Sequence, residues 1–476
     1  MPQDVHPIEV ADLERRLPPE PALGPAITMA ADERLVVLDD DPTGNQTVHD
    51  VPLLARFDEG SLREILADHP TVFLLTNSRA LEEQVAVALF REIGTTLRRL
   101  AEELGLRLRI ASRSDSTLRG HFPAEVVALQ ETVGAAGCLL APCFVEGGRL
   151  TFDDVHWVRE GDQLIPVGQT PYSEDASFGF TSSHLPSWVE EKSAGAIPAQ
   201  TVRSVSIQDL RVEGPERVAG ILRDVGDGVV VANATSYADL RVLVHGLATA
   251  EAAGSSFVYR CGASFVRERA GIGPRALLDS SELDAPPSGL QGGLVVCGSH
   301  VPNTTAQLER LLELEATRGI ELDVKALLTD QGERDAIVAE ISRRAVEEMA
   351  RGRHAVVFTS RTVVTAEGWT PLQIANQASR ALIDVVRGLG EQPPFLVSKG
   401  GITSHDIATV ALGMRRGTVL GQISPGVPVW RIEDGPAEGT AYVVFPGNVG
   451  NRDTLYEVVA RLAGRDDPGP TPPGVD

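Results

Sequence analysis

The sequence predicts two α/β domains, each a three-layer stack built on a largely parallel sheet, and three observations lead there. Short apolar runs recur along the chain, each followed by a polar loop and then by a stretch of helical character, the rhythm of parallel βαβ units. The rhythm breaks at 278–292 (DSSELDAPPSGLQGG), where apolar residues are sparse and Pro, Gly and Ser crowd together, and then restarts. The length, 476 residues, suits two or three domains and is ample for sizeable cores.

Residues 1–33 are Pro-rich and acidic and read as a lead-in arm with one short helix at Ile8–Leu17. The first domain, 34–277, starts with LVVL (35–38), which runs into DDDPTG. VFLL (72–75) leads into TNSRA and a helix ending about Leu104, and LRLRIA (106–111) leads into SRSDSTLRG and a helix from about Phe122. CLLA (138–141) precedes PCF, and VVVA (229–232) precedes NATS and another helix. Between Glu146 and His184 the chain is rich in turns and reads as an antiparallel hairpin excursion. After the 278–292 linker, a second domain covers 293–464. There LVVCGSH (294–300) precedes a helix from about Asn303, AVVFTSR (355–361) precedes one after Pro371, and FLVSKGGITSHD (395–406) and YVVFPGNVGN (442–451) follow. Residues 465–476 read as a disordered tail.

Composition narrows the function. A formal charge of −23, with 42% hydrophobic and 23% charged residues, belongs to a folded globular protein that repels nucleic-acid phosphates. A small anion remains admissible where Arg, Lys or backbone N–H groups cluster. Cys138, Cys143, Cys261 and Cys297 form no C-x-x-C pair and sit in or beside apolar runs, as reduced core cysteines do. No run of about 18 apolar residues and no basic-then-apolar leader is present. The expectation is a cytoplasmic protein without nucleic-acid or membrane partners.

In open parallel sheets, ligands bind beyond the carboxyl ends of the strands. In the first domain those loops hold Asp39, Asp40, Asp41, Thr43 and Gly44, then Asn77, Ser78 and Arg79, then Arg113, Asp115, Ser116, Thr117, Arg119 and His121. Arg forks suit a substrate carboxylate, and a carboxylate suits a hydroxyl that must become a nucleophile, so the set reads as a pocket for a polyhydroxy acid. Turn formation and helix capping would account for any one of these residues, though less readily for a set in register at strand ends. In the second domain GSH, SKGGIT and FPGNVGN place glycine and small polar residues directly after apolar runs, where backbone N–H groups can approach phosphate. A P-loop, H-E-x-x-H and G-x-S-x-G are all missing, and the ten histidines show no metal-ligand spacing. The Asp39–Asp41 run could bind a divalent ion or could simply start a helix, so metal ligands stay open.

The chain resembles the four-carbon acid sugar kinase family. The resemblance rests on DDPTG (Asp40–Gly44), NSR (Asn77–Arg79), SDSTLRG (Ser114–Gly120), GGR (Gly147–Arg149), GS (Gly298–Ser299), GGIT (Gly400–Thr403), PGVP (Pro425–Pro428) and GNVG (Gly447–Gly450). The motifs occur in family order over roughly residues 34–460. The resemblance implies an N-terminal acid-sugar domain, a C-terminal nucleotide domain, an active site in the cleft between them, and phosphorylation of threonate, erythronate, 3-oxo-tetronate or a related acid by ATP with Mg2+. Asp40, Arg79, Arg113, Asp115, Ser116 and Thr117, with Asp41 beside them, would face the acid. Asp115 would orient or deprotonate the accepting hydroxyl, with Asp40 as second choice. Ser299, Gly400, Gly401, Ile402, Thr403, Gly447 and Asn448 would face ATP. The family commonly has Lys where Arg113 stands and an aromatic or apolar residue where Pro42 stands. With the N-terminal arm, these departures suggest a branch acting on branched or oxidised acids such as 3-oxo-isoapionate. The competing expectation is a non-catalytic sensor of sugar acid and nucleotide, and a homodimer is expected on general frequency alone.

Overall fold

The computed structural model describes residues 5–22, 24–283, 288–298, 301–362, 364–447 and 449–464. The chain divides into two compact units, one reaching to Pro274 and one beginning at Arg275. The mixed α/β architecture expected from the sequence is present in both.

In the first unit a parallel sheet runs in the order Arg203–Val205, Val229–Ala232, Gly137–Ala141, Phe257–Cys261, Arg107–Arg113, Glu33–Asp39, Thr71–Leu75, Val51–Leu54. Leu35, Val36, Val37 and Leu38 are fully inaccessible to solvent. A strand covered on both faces needs apolar side chains in both directions, which is why it reads as a continuous run. The helix Glu83–Leu104 buries Ala86, Phe90, Ile93, Leu97 and Leu100, a stripe at three- and four-residue spacing. It stops at Gly105 (φ 66°), and the helix Ala124–Val133 stops at Gly134 (φ 77°); both take the left-handed closing conformation that favours glycine. Each turns into the next strand within a few residues. Phe122 and Trp188 stack at 4.8 Å between ring centroids within the core.

The turn-rich excursion is an antiparallel 4-stranded sheet: Arg149–Phe152, Val155–Glu160 and Gln163–Pro166, edged by Ile8–Glu9 through pairing of Ile8 with Leu164. The short helix expected at Ile8–Leu17 is Val10–Arg16. The arm lies along this unit, since Arg211 donates to the Pro18 carbonyl (2.8 Å) and Arg241 to that of Gly24 (2.6 Å). His156 pins the small sheet to the DSTLRG loop: its Nε2–H donates to Ser116 O at 2.7 Å and its Nδ1 accepts from the Thr151 hydroxyl at 2.9 Å. Burial pushes its imidazole down to about 4, so it holds this bridge as the neutral ring.

In the second unit the strands run in the order Arg416–Ser424, Val427–Ile432, Ala441–Phe445, Phe395–Lys399, Leu294–Cys297, His354–Thr359, Thr317–Leu322. The first three pair antiparallel and the last five parallel. PGVP makes the turn of the antiparallel hairpin, where Gly426 (φ 77°) donates its N–H to the Gln422 side chain at 2.6 Å. Neither this hairpin nor the helix Gln331–Ala350 was expected from the sequence. Within the segment expected as a linker, Leu278 is buried in this unit's core and donates its N–H to Gln422 O at 2.7 Å. The four cysteines are buried and free.

Candidate active site

Four neighbouring strands of the first sheet, Phe257–Cys261, Arg107–Arg113, Glu33–Asp39 and Thr71–Leu75, deliver their carboxyl ends to one place. Backbone bonds stitch the ends together. Asp40 N–H donates to Arg113 O (3.2 Å), Thr76 N–H to Asp39 O (3.0 Å), Arg79 N–H to Asp40 O (3.4 Å) and Ser114 N–H to Cys261 O (3.0 Å). The loops that leave these strands therefore start from a fixed frame, and their side chains interleave.

Three carboxylates in sequence meet two guanidiniums. Arg113 Nη1 lies 3.1 Å from Asp39 and 3.5 Å from Asp40. Arg79 pairs closely with Asp41 and lies 4.0 Å from Asp40 and 3.4 Å from Asp115. Arg119 Nε holds the far oxygen of Asp115 at 2.6 Å, and the Thr117 hydroxyl donates to the same oxygen. Burial opposes ionisation of Asp115, but Arg79, Arg119 and Thr117 outweigh it and hold the carboxyl well below the usual range. At Asp41 burial is likewise outweighed, chiefly by Arg79 and the Thr43 hydroxyl. Asp40 differs. It is 1% exposed, neither carboxylate oxygen has a hydrogen-bond partner, and burial pushes its carboxyl up despite Arg79 and Arg113. Asp39 is pushed up to about 7, by burial first and then by the charges of Asp40 and Asp41.

Behind Asp40 stands a second layer. Arg260 lies 3.8 Å from Glu125 and donates to Arg119 O at 3.0 Å, and Ser78 donates to Glu125 at 2.5 Å. Burial raises Glu125 to about 7. Glycine is required at two points of approach. A Cβ on Gly44 would collide with the Asp39 carboxylate and the Arg113 guanidinium, and Gly120 (φ 119°) faces Arg260 and Asp40. A polar cleft of about 490 Å³ opens beside Arg79 and Gly120, lined further by His121, Phe178 and Lys192.

In the second unit, the loops after Leu294–Cys297, Phe395–Lys399 and Ala441–Phe445 converge. Gly400 (φ 111°) starts the short helix Gly401–Asp406, with Ile402 62% exposed. A Cβ on Gly298 would sit 2.7 Å from the Thr403 hydroxyl. Gly400 N–H donates to Phe445 O at 2.8 Å, which ties the two glycine loops together. Beneath them Lys399 is fully buried, and its Nζ donates to Pro446 O at 2.8 Å and lies 3.4 Å from Gly447 O.

Asp40, Asp41, Arg79, Arg113 and Asp115 thus meet in one cluster, with Thr117 turned onto Asp115 and Ser116 buried under His156. Gly400 and Gly447 lie on loops of the second unit and Gly401, Ile402 and Thr403 on the first turn of the helix that follows Gly400, while Ser299 and Asn448 fall outside the described residues. The Asp39–Asp41 run starts no helix; a turn follows it. Sequence reasoning passed over Glu125, Arg260 and Lys399. The available signal for the last two was a single charge inside an apolar run, in FVYRC and FLVSK.

Among the described residues no group of three or more His, Cys, Asp or Glu is arranged to hold a metal ion, and no helix is long and apolar enough to cross a membrane. Residues 35–269 match the model of a sugar-binding N-terminal domain and 294–455 that of a nucleotide-binding C-terminal domain. The D-threonate kinase of Salmonella typhimurium LT2 is 23% identical over 364 residues, 74% of this chain and 79% of that protein. The 3-oxo-tetronate kinase of Pseudomonas fluorescens is 27% identical over 366 residues, 75% and 79% respectively. Two solved structures share the fold at 16% identity. One is a Salmonella typhimurium LT2 protein (TM-score 0.66, covering 89% of this chain and 98% of that one), and the other is a Haemophilus influenzae protein (TM-score 0.60, 90% and 100%). With both domain models matched in order along one chain, the protein belongs to the four-carbon acid sugar kinase family.

Proposed function

We propose that the protein phosphorylates a hydroxyl of a small acid sugar with Mg·ATP, the first unit holding the acid and the second the nucleotide. The observation that carries this reading is Asp40: a buried carboxylate with both oxygens unpaired, flanked by Arg113 and Arg79 at the carboxyl edge of a parallel sheet. An unpaired buried acceptor is costly, and a substrate hydroxyl donating to it would remove that cost.

In this reading the accepting hydroxyl gives its proton to Asp40 as its oxygen bonds to the γ-phosphorus and the bond to ADP breaks. Asp40 takes the role that the sequence reading gave first to Asp115. Asp115 is held ionised by Arg79, Arg119 and Thr117, which makes it a weak base but a firm anchor for Arg79. Arg79 and Arg113 supply positive charge for the acid's carboxylate. In this reading Mg2+ enters with the substrate as Mg·ATP, bound mainly through phosphate oxygens. In phosphoryl transfer the protein chiefly positions groups and stabilises charge, so loss of one positioning group costs on the order of 10²-fold or more in rate.

The test is ADP release from Mg·ATP with a panel of D-threonate, erythronate, 3-oxo-tetronate and 3-oxo-isoapionate. One acid should stimulate release strongly. If none does, while the acids and ATP still raise the melting temperature, the kinase reading is wrong.

A further inference from the structure

Lys399 is the last residue of its strand and is wholly buried, yet among the described residues no carboxylate pairs with it. Its Nζ is held by the carbonyls of Pro446 and Gly447 and lies 4.0 Å from the centroid of the Phe445 ring. A buried amine without an acid partner is expensive, and burial has pushed this one down to about 7. A methionine or leucine would fill the same space at less cost. The position is also specific, because Lys399 directly precedes Gly400–Thr403 and holds the loop that carries Gly447, the two stretches read above as facing phosphate.

The geometry has a direct consequence for the loop. In a trans peptide the C=O and N–H point in opposite directions. Drawing the Pro446 carbonyl onto Nζ therefore turns the Gly447 N–H away from the lysine, and Gly447 is itself partly exposed. An anion arriving above the loops meets that N–H in front and, behind it, an amine whose protonated form the anion favours, in a low-dielectric setting where charge is little screened.

Resting on the kinase reading, we propose that Lys399 is a positioning residue for nucleotide phosphate, which fixes the Pro446–Gly447 loop by its donors and favours phosphate by its buried charge. The rival is a plain strut that would matter equally for any ligand of the unit. A ligand series of increasing charge separates the two.

Adenosine, AMP, ADP and Mg·ATP are titrated calorimetrically into the full chain and its variants. K399M should weaken ADP and Mg·ATP at least tenfold while adenosine changes less than twofold, and K399R should recover part of the loss. Equal weakening of adenosine and ADP, or unchanged ADP affinity, would overturn the assignment. Should K399M fail to fold, K399Q removes the charge while keeping an N–H donor pair, one bond shorter, within the same cavity. It should show the same selective loss, and an ADP-to-adenosine affinity ratio within threefold of the wild type would equally overturn the proposal. Failure of the wild type to bind any of the nucleotides would sink the kinase reading itself, a separate outcome.

Discussion

Replacing Asp40 by asparagine separates its contribution to turnover from its contribution to stability. The two nearest guanidinium nitrogens stand 3.5 and 4.0 Å away. At an effective dielectric of about 20 each contact is worth roughly 4–5 kcal/mol of attraction. Against this stands the removal of a carboxylate from water, between several kcal/mol after relaxation and about 20 kcal/mol in the idealised limit, with neither oxygen hydrogen-bonded. Burial wins, since it raises the carboxyl despite both arginines. Ionised Asp40 is thus a net liability to the fold at neutral pH. Its removal strands no cation, because Arg113 retains Asp39 and Arg79 retains Asp41 and Asp115. Asp40→Asn should therefore melt at or above the wild-type temperature, while kcat with the best acid falls about 10²–10⁴-fold. A melting scan beside a coupled ADP-release assay measures both. The reasoning fails if the variant melts more than about 5 °C lower, the size of a lost structural ion pair at roughly 2–4 °C per kcal/mol, and still turns over within tenfold of wild type.

Arg113→Ala leaves Asp39 and Asp40 buried without their nearest cation and should cost about 3–5 kcal/mol, read as a lower urea midpoint at unchanged slope. Gly44→Ala drives a methyl group into the Asp39–Arg113 pair; an expected loss of about 1–3 kcal/mol and a raised KM for the acid are checked together, and no change in either would refute the packing. For pH, Glu125 is raised to about 7, so the fold favours its protonated form. That stabilisation is full below its ordinary value near 4.3 and is lost as pH rises toward 7, at up to about 1.4 kcal/mol per pH unit. Glu125→Gln should accordingly flatten the fall in melting temperature between about pH 5 and 7, and an unchanged slope would count against it.

How much of this could be read from the chain alone depends on what each residue faces. The strands holding Leu35–Leu38 and Val229–Ala232 are covered on both faces and announce themselves as apolar runs. Phe257–Cys261 was passed over because Arg260 interrupts it, and that arginine is buried only because Glu125 and the Arg119 carbonyl lie beside it. The strand Arg416–Ser424 alternates buried and half-buried residues, a weaker signal than a solid run. The site loops were legible because small polar residues and charges followed strands in register. The division of labour between Asp40 and Asp115 was not. Both are acids in strand-end loops, and only folding shows that Arg79, Arg119 and Thr117 converge on one and leave the other's oxygens unpaired.

The glycine-closed turns at Gly105 and Gly134 lie at the amino ends of strands in the parallel sheet, opposite the edge that carries the charged cluster. The first unit is polarised along its strands, with the charged cluster at one end and plain connections at the other. A dye or a short inserted peptide at residues 134–136, where the backbone is accessible, should report on the folded state without touching the charged cluster. The same polarity gives sequence change two separate channels. Loops at the carboxyl end can change the charged cluster, while turns at the opposite end can lengthen, neither constraining the other.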